Sequence, residues 1–242
     1  EILENTMKHI TLIAGARPNF MKIAPLIHAI KKAQSEGVDI AYRLVHTGQH
    51  YDKQMSDTFF EELNIPTPDA NLGCGGGSQA QQTAAIMVAF EKELIENPTD
   101  LVLVVGDVTS TMACSIVAKK LNIKVAHVEA GIRSYDMTMP EEINRMVTDS
   151  ITDYFFTTTR WASSNLVKAG IDENRIYLVG NVMIDTLLAN IDRFVKPAIY
   201  DGLNLQEKGY IMLTLHRPTN VDETNHLKAL MTEIVENAKG LP

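Results

Sequence analysis

Cysteine is scarce in this chain: Cys74 and Cys114 are the two in 242 residues, and they form no metal-ligand or redox spacing. That scarcity points to a reducing, cytoplasmic setting and argues against a metal site. Positive charge is also short. There are 22 Lys and Arg against 30 Asp and Glu, a formal net charge of −8. A nucleic-acid binder would carry a basic field, so that class is disfavoured. An anionic small molecule stays compatible, because an acidic surface can surround a basic pocket. Long apolar runs are missing too: nothing approaches the roughly 20 residues of a membrane span, and no charged-then-apolar leader opens the sequence. Met7 reads as a native start, with residues 1–6 as an extension.

What is present is an ordinary globular composition, 45% hydrophobic and 21% charged. The length suits one large or two modest domains. Short apolar runs alternate with amphipathic stretches. Strands are expected near 10–14, 40–47, 100–105, 125–128, 154–157, 176–179 and 209–215. Helices are expected near 19–33, 52–64, 79–96, 109–121, 141–152, 161–169, 183–194 and 224–238. Pro25 should kink or restart the first helix, hydroxyls at Thr109–Thr111 are placed to cap the fourth, and Gly73–Ser78 reads as a flexible glycine-rich loop. Repeated strand–helix units imply an α/β fold, a parallel sheet wrapped by helices on both faces, with the strand-end loops along one ligand-binding edge.

The chemistry-bearing residues sit in those loops. Gly15-Ala-Arg-Pro-Asn-Phe-Met-Lys22 sets Arg17 and Lys22 at a helix start, a place that attracts phosphate, or else they are solvated cations beside a capped turn. The loop is neither Gly-x-Gly-x-x-Gly nor a P-loop, which disfavours a bound nicotinamide. Asp107, in Gly106-Asp-Val-Thr-Ser-Thr111, either orders the turn or aims a carboxylate at a ligand. Glu129, in His127-Val-Glu-Ala-Gly-Ile-Arg133, ends an apolar strand and must be paired, protonated or useful, with Arg133 an available salt-bridge partner. His127 reads as a satisfied core histidine. Glu141 and Arg145, in Pro140-Glu-Glu-Ile-Asn-Arg145, are four apart, the spacing of a stabilising pair as well as of a site. Thr214-Leu-His-Arg-Pro218 offers His216 and Arg217 for a diphosphate, or His216 for a turn cap; Thr47-Gly-Gln-His50 offers Gln49 and His50 to a ligand or to their own loop. Carboxylates for proton transfer beside cations for phosphates suit a sugar diphosphate.

These segments, together with Gly180-Asn-Val-Met-Ile-Asp185, occur in one order from Gly15 to Pro218. The set resembles the non-hydrolysing UDP-N-acetylglucosamine 2-epimerases. Hydrolysing relatives usually carry a basic residue after the aspartate of the Gly106-Asp107 segment and alter the His127–Arg133 segment; here both follow the non-hydrolysing pattern. The resemblance implies an isomerase of the two-domain GT-B plan: a Rossmann-like domain over 7–181, and over 182–242 the beginning of a nucleotide-binding domain. It implies catalytic roles for Asp107, Glu129, Glu141 and His216, and substrate binding by Arg17, Lys22, Arg145, Gln49, His50, Arg133 and Arg217. It also implies UDP-N-acetylglucosamine and UDP as ligands, no cofactor, a homodimer, and a role in surface-polysaccharide precursor synthesis. A hydrolysing epimerase and a GT-B glycosyltransferase are the alternatives. Bacterial members hold a second, activating substrate through glutamines near Gln49. Gln49 is kept, but Asp52 and the glycine-rich run depart from that pattern. The family's later uridine-binding motif does not occur, so the chain is expected to be a truncated form, inactive by itself, of an enzyme whose active site is a cleft between two domains.

Overall fold

The computed structural model describes residues 7–48, 60–215 and 218–242, except for the side chains of Arg17, Pro218 and Thr219. Two compact units divide at Asn190 and Ile191.

The first unit is built on seven parallel strands: β1 (Lys8–Ala14), β2 (Ile40–His46), β3 (Ala70–Asn71), β4 (Leu101–Val105), β5 (Lys124–Val128), β6 (Tyr154–Thr157) and β7 (Ile176–Leu178). Their order is β3-β2-β1-β4-β5-β6-β7, with every neighbouring pair parallel. The order reverses between β1 and β4, and the carboxyl ends there frame the crevice in which open α/β sheets bind ligands. Six helices of the unit bear on the argument: α1 (Arg17–Ser35), α2 (Gln79–Glu96), α3 (Thr109–Lys120), α4 (Pro140–Ile151), α5 (Arg160–Lys168) and α6 (Val182–Asn190).

The period-2 alternation of the strands divides the core. Leu12 and Ala14 of β1, with Leu44, Leu103, Val105, Ala126 and Val128, meet Phe20, Ile23, Ala24 and Ile27 of α1 and Val182 of α6. The intervening residues Ile13, Val45, Val102, Val104 and Val125 meet Ile86, Phe90 and Leu94 of α2 and Cys114 and Val117 of α3. Both faces are covered, which is why these strands read as continuous apolar runs. The two cysteines sit in the second layer, where burial pushes both thiols up. The α/β fold expected from the sequence is the one observed.

Pro25 does not break α1. Its ring cannot supply the N–H that would bond the Met21 carbonyl one turn back. Thr186 of α6 takes that place, its Oγ1 donating to the Met21 oxygen at 2.5 Å. The first compact unit runs through α6 to Asn190.

The glycine-rich run is not a free linker. The Cys74 amide donates to the Thr47 carbonyl at 2.8 Å. A Cβ on Gly48 would lie 2.7 Å from the backbone of Gly73 and Cys74, so only glycine allows this approach. Ser78 and Gln81 then form a reciprocal cap on α2.

The second unit, 191–242, contains α7 (Ala198–Gly202), α8 (Pro218–Val221) and α9 (Thr224–Asn237), the last capped by Glu223 through the His226 amide at 3.1 Å. Among the described residues, none of this unit is a buried member of a hydrophobic cluster. The strand expected over 209–215 does not form. A strand exists only by pairing, and among the described residues a backbone bond from the Ile211 amide to the Pro242 carbonyl at 2.9 Å is not extended into a ladder. Ile211, Met212 and Leu213 are exposed in consequence.

Candidate active site at the strand ends

The loop after β1 is shaped by Asn19, a buried residue in the first turn of α1. Its Oδ1 accepts from the Gly15 and Ala16 amides, both at 2.9 Å, and its Nδ2 reaches the Val105 carbonyl at 3.5 Å. Gly15 has no room for a side chain, since a Cβ would stand 2.6 Å from Ser110 Oγ. Ser110 in turn shares a 2.7 Å hydrogen bond with Thr47, and Thr111 donates to the Val105 carbonyl at 3.0 Å. These hydroxyls therefore tie the start of α3 to the ends of β2 and β4 instead of capping it; its N-cap is Val108, with no side-chain bond.

Two ion pairs flank the turn at Gly106–Asp107. Lys22, from the second turn of α1, meets Glu129 at 2.5 Å, with 15% and 10% of the two side chains exposed. Glu129 has a left-handed backbone, φ 71°, unusual for a non-glycine residue and costing of order 1 kcal/mol or more. Its amide donates to the Phe156 carbonyl at 3.0 Å, which fixes the turn that points its carboxylate inward. Gly106, at φ 70°, leaves room for the pair: a Cβ there would lie 3.0 Å from Lys22 Nζ. The salt bridge between Glu129 and Arg133 suggested by the sequence is absent. Arg133 instead binds Asp149 at 2.7 Å.

The second pair joins Asp107 to Arg145. Arg145 also meets Glu142 at 2.9 Å, and Asn144 donates to the Asp107 carbonyl at 2.8 Å. The i,i+4 pair of Glu141 with Arg145 does not form, because Arg145 leans back to Glu142 and across to β4. Glu142 is buried and accepts from the Ser134 and Tyr135 amides, at 2.9 and 3.1 Å. Desolvation opposes its ionisation, but the bonds from Ser134, Arg145 and Tyr135 outweigh it and hold its carboxyl below the usual range. Burial likewise opposes the charge of Arg145, and pairing with Glu142 and Asp107 prevails, raising it. Glu141 has no partner among the described residues and is half-buried in the first turn of α4.

His127 is fully buried, Nδ1 at 2.8 Å from Asp149 and Nε2 at 2.8 Å from the Gly106 carbonyl. The structure thus gathers Lys22, Asp107, Glu129, Arg133 and Arg145 about the ends of β4 and β5. Gln49, His50, His216 and Arg217 lie outside the described residues, as does the side chain of Arg17.

Sequence reading missed Asn19, Glu142, Asp149 and His46. His46 stacks on Phe20 with ring centroids 5.3 Å apart, and burial lowers its basicity despite a bond to Asn71. The sequence carried no clear signal for Glu142, since it and Glu141 lie about 100° apart on the helix and both could face solvent. None existed for Asp149, whose partners are 16 and 22 residues away.

The family model for UDP-N-acetylglucosamine 2-epimerase matches residues 31–241. The UDP-N-acetylglucosamine 2-epimerase of Methanocaldococcus jannaschii is 42% identical over 94% of this chain and 62% of its own length. Its crystal structure in complex with UDP-GlcNAc and UDP superposes with a TM-score of 0.80 at 41% identity, over 94% of this chain and 62% of that one. The UDP-2,3-diacetamido-2,3-dideoxy-D-glucuronate 2-epimerase of Pseudomonas aeruginosa is 40% identical over 95% of this chain and 63% of its length. The chain thus spans about three-fifths of these relatives. With a match over most of its residues, it belongs to the UDP-N-acetylglucosamine 2-epimerase family.

Proposed function

We propose that the full-length protein, rather than these 242 residues by themselves, interconverts UDP-N-acetylglucosamine and UDP-N-acetylmannosamine, without a cofactor, as a cytoplasmic homodimer supplying surface-polysaccharide precursors. The observation that carries this reading is the pair of cation–carboxylate contacts, Lys22 with Glu129 and Arg145 with Asp107, on either side of the turn at Gly106. Family membership supports the substrate class.

The C2 hydrogen beside the acetamido group is not acidic, so direct deprotonation would leave an unstabilised carbanion. Breaking the C1–oxygen bond first develops positive charge at C1, which acidifies C2. UDP leaves with the bonding pair, a carboxylate takes the C2 proton, and a 2-acetamidoglucal results. Reprotonation of C2 on the other face and return of UDP to C1 complete the epimerisation. Opposite faces call for two acid–base groups, drawn from Asp107, Glu129 and Glu141. Arg17, Lys22, Arg145 and His216 hold the departing diphosphate, since preorganised cations are worth most where charge develops. Gln49, His50, Arg133 and Arg217 complete the substrate contacts.

Incubation of the full-length protein with UDP-N-acetylglucosamine alone in heavy water, followed by proton NMR, tests the reading. UDP-N-acetylmannosamine carrying deuterium at C2 is expected. Product without deuterium would indicate a hydride relay, free N-acetylmannosamine a hydrolysing enzyme, and no product without an acceptor a glycosyltransferase. The likeness to the Pseudomonas enzyme supports one second reading, the same C2 chemistry on a UDP-diacetamido-glucuronate; running both substrates ranks them by kcat/KM.

A further inference from the structure

Two fully buried histidines of the strand ends, His46 and His127, have no part in the epimerase mechanism, and His127 is the one that touches the Gly106–Asp107 turn. We propose that His127 is a buried imidazolium that acts as a positioning residue, holding the Asp107 turn and the Arg133 loop in register through its two ring protons. The inference rests on the epimerase reading for its kinetic consequence, though not for the protonation itself.

Both neighbours of the ring are acceptors. Nε2 lies 2.8 Å from the Gly106 carbonyl, which has no proton to give. Nδ1 lies 2.8 Å from Asp149 Oδ1. The other oxygen of that carboxylate accepts from the Gly131 amide at 3.1 Å and from Arg133 at 2.7 Å. The Arg133 guanidinium and the Gly131 amide, both donating to this carboxylate, keep it ionised in spite of its burial. An ionised carboxylate donates nothing, so Nδ1 must also carry a proton. A neutral ring has one N–H and would set an unprotonated nitrogen against a carbonyl or a carboxylate lone pair, in a site where an unmet polar group is costly.

The geometry shows what the charge does. Gly106 is where β4 turns, at φ 70°, into Asp107. Gly131 and Arg133 follow Glu129 after β5. One ring and one carboxylate therefore bind both catalytic turns from beneath. The charged groups about them are Asp149 of α4, Arg133 of the loop after β5, and the Lys22–Glu129 pair beside Gly106. One anion lies between two cations, and the cluster keeps a net positive charge beneath the edge where a diphosphate would bind.

Histidine-selective 15N labelling and a long-range 1H–15N correlation spectrum of the wild-type protein at pH 7.5 test the protonation. One of the seven histidines should show both ring nitrogens protonated, and that signal should vanish in His127→Gln. If no wild-type histidine shows that pattern, the proposal fails whether or not the variant folds. The kinetic arm uses Asp149→Asn, which keeps shape and removes the anion. At a temperature where it remains folded, kcat should fall on the order of 10- to 100-fold while KM changes less than about threefold. An unchanged kcat would overturn the positioning role. A full-length wild-type protein with the doubly protonated ring but no epimerase activity would overturn the proposed function alone.

Discussion

The bond from Thr186 to the Met21 carbonyl gives a sharp test of how this fold accommodates a proline inside a helix. Pro25 removes the N–H that the Met21 oxygen would otherwise receive, and Thr186 supplies a hydroxyl at 2.5 Å from a buried position 165 residues away. Thr186→Val keeps the shape and deletes the donor. With Pro25 present, the carbonyl is left unmet between two helices, at a cost of about 1–3 kcal/mol. In a Pro25→Ala background the new backbone N–H bonds Met21 within the helix, so the same Thr186→Val change should cost under about 0.5 kcal/mol. The coupling is then about 1–2 kcal/mol, well above the scatter of independent sites. Urea unfolding of the four proteins of the cycle reads it, with an unchanged m-value as the control. Equal costs of Thr186→Val in the two backgrounds would refute the account, and Thr186 would then matter only for packing.

Other outcomes follow from the site. Gly106→Ala should lower stability by about 1–2 kcal/mol, because φ 70° suits glycine and the new Cβ meets Lys22 Nζ at 3.0 Å, and it should also reduce kcat/KM; a neutral effect on both would remove the reason for glycine there. Glu129→Gln should still fold, with a urea midpoint lowered by loss of the Lys22 pair, yet lose activity by about 100-fold or more, whereas an active variant would exclude it from proton transfer. Stability should fall in two stages on acidification. The folded-state basicity of His46 is depressed, so the unfolded chain binds its proton first and stability drops as pH falls below about 6.5. The carboxyls of Glu142 and Asp149 are depressed too, so their contribution, complete above the unfolded carboxylate range, is lost as pH falls below about 4. Urea midpoints across pH measure this, and His46→Gln should remove the first stage while leaving the second.

Much of the first unit was legible in the sequence. Runs such as Leu101–Val105 are apolar on both faces, a pattern that only a doubly covered parallel strand explains, and the chemistry-bearing residues follow those strands directly. The ordered motifs from Gly15 to Pro218 carried the family. The charge partnerships were not legible. Local spacing pointed to Glu129 with Arg133 and Glu141 with Arg145, because near neighbours are the only partners a linear reading can see. The folded chain pairs Glu129 with Lys22 across 107 residues and Arg145 with Asp107 across 38. Those choices depend on which loops the strand order brings together, on two left-handed turns at Gly106 and Glu129, and on the room left by a missing Cβ. The failed strand at 209–215 makes the same point from the other side. Side-chain pattern decides by itself which segments can become strands and where their loops will carry charge. Hydrogen-bond partners belong to two segments at once, so whether a strand forms, and which carboxylate meets which cation, is decided only when the tertiary structure brings those segments within reach.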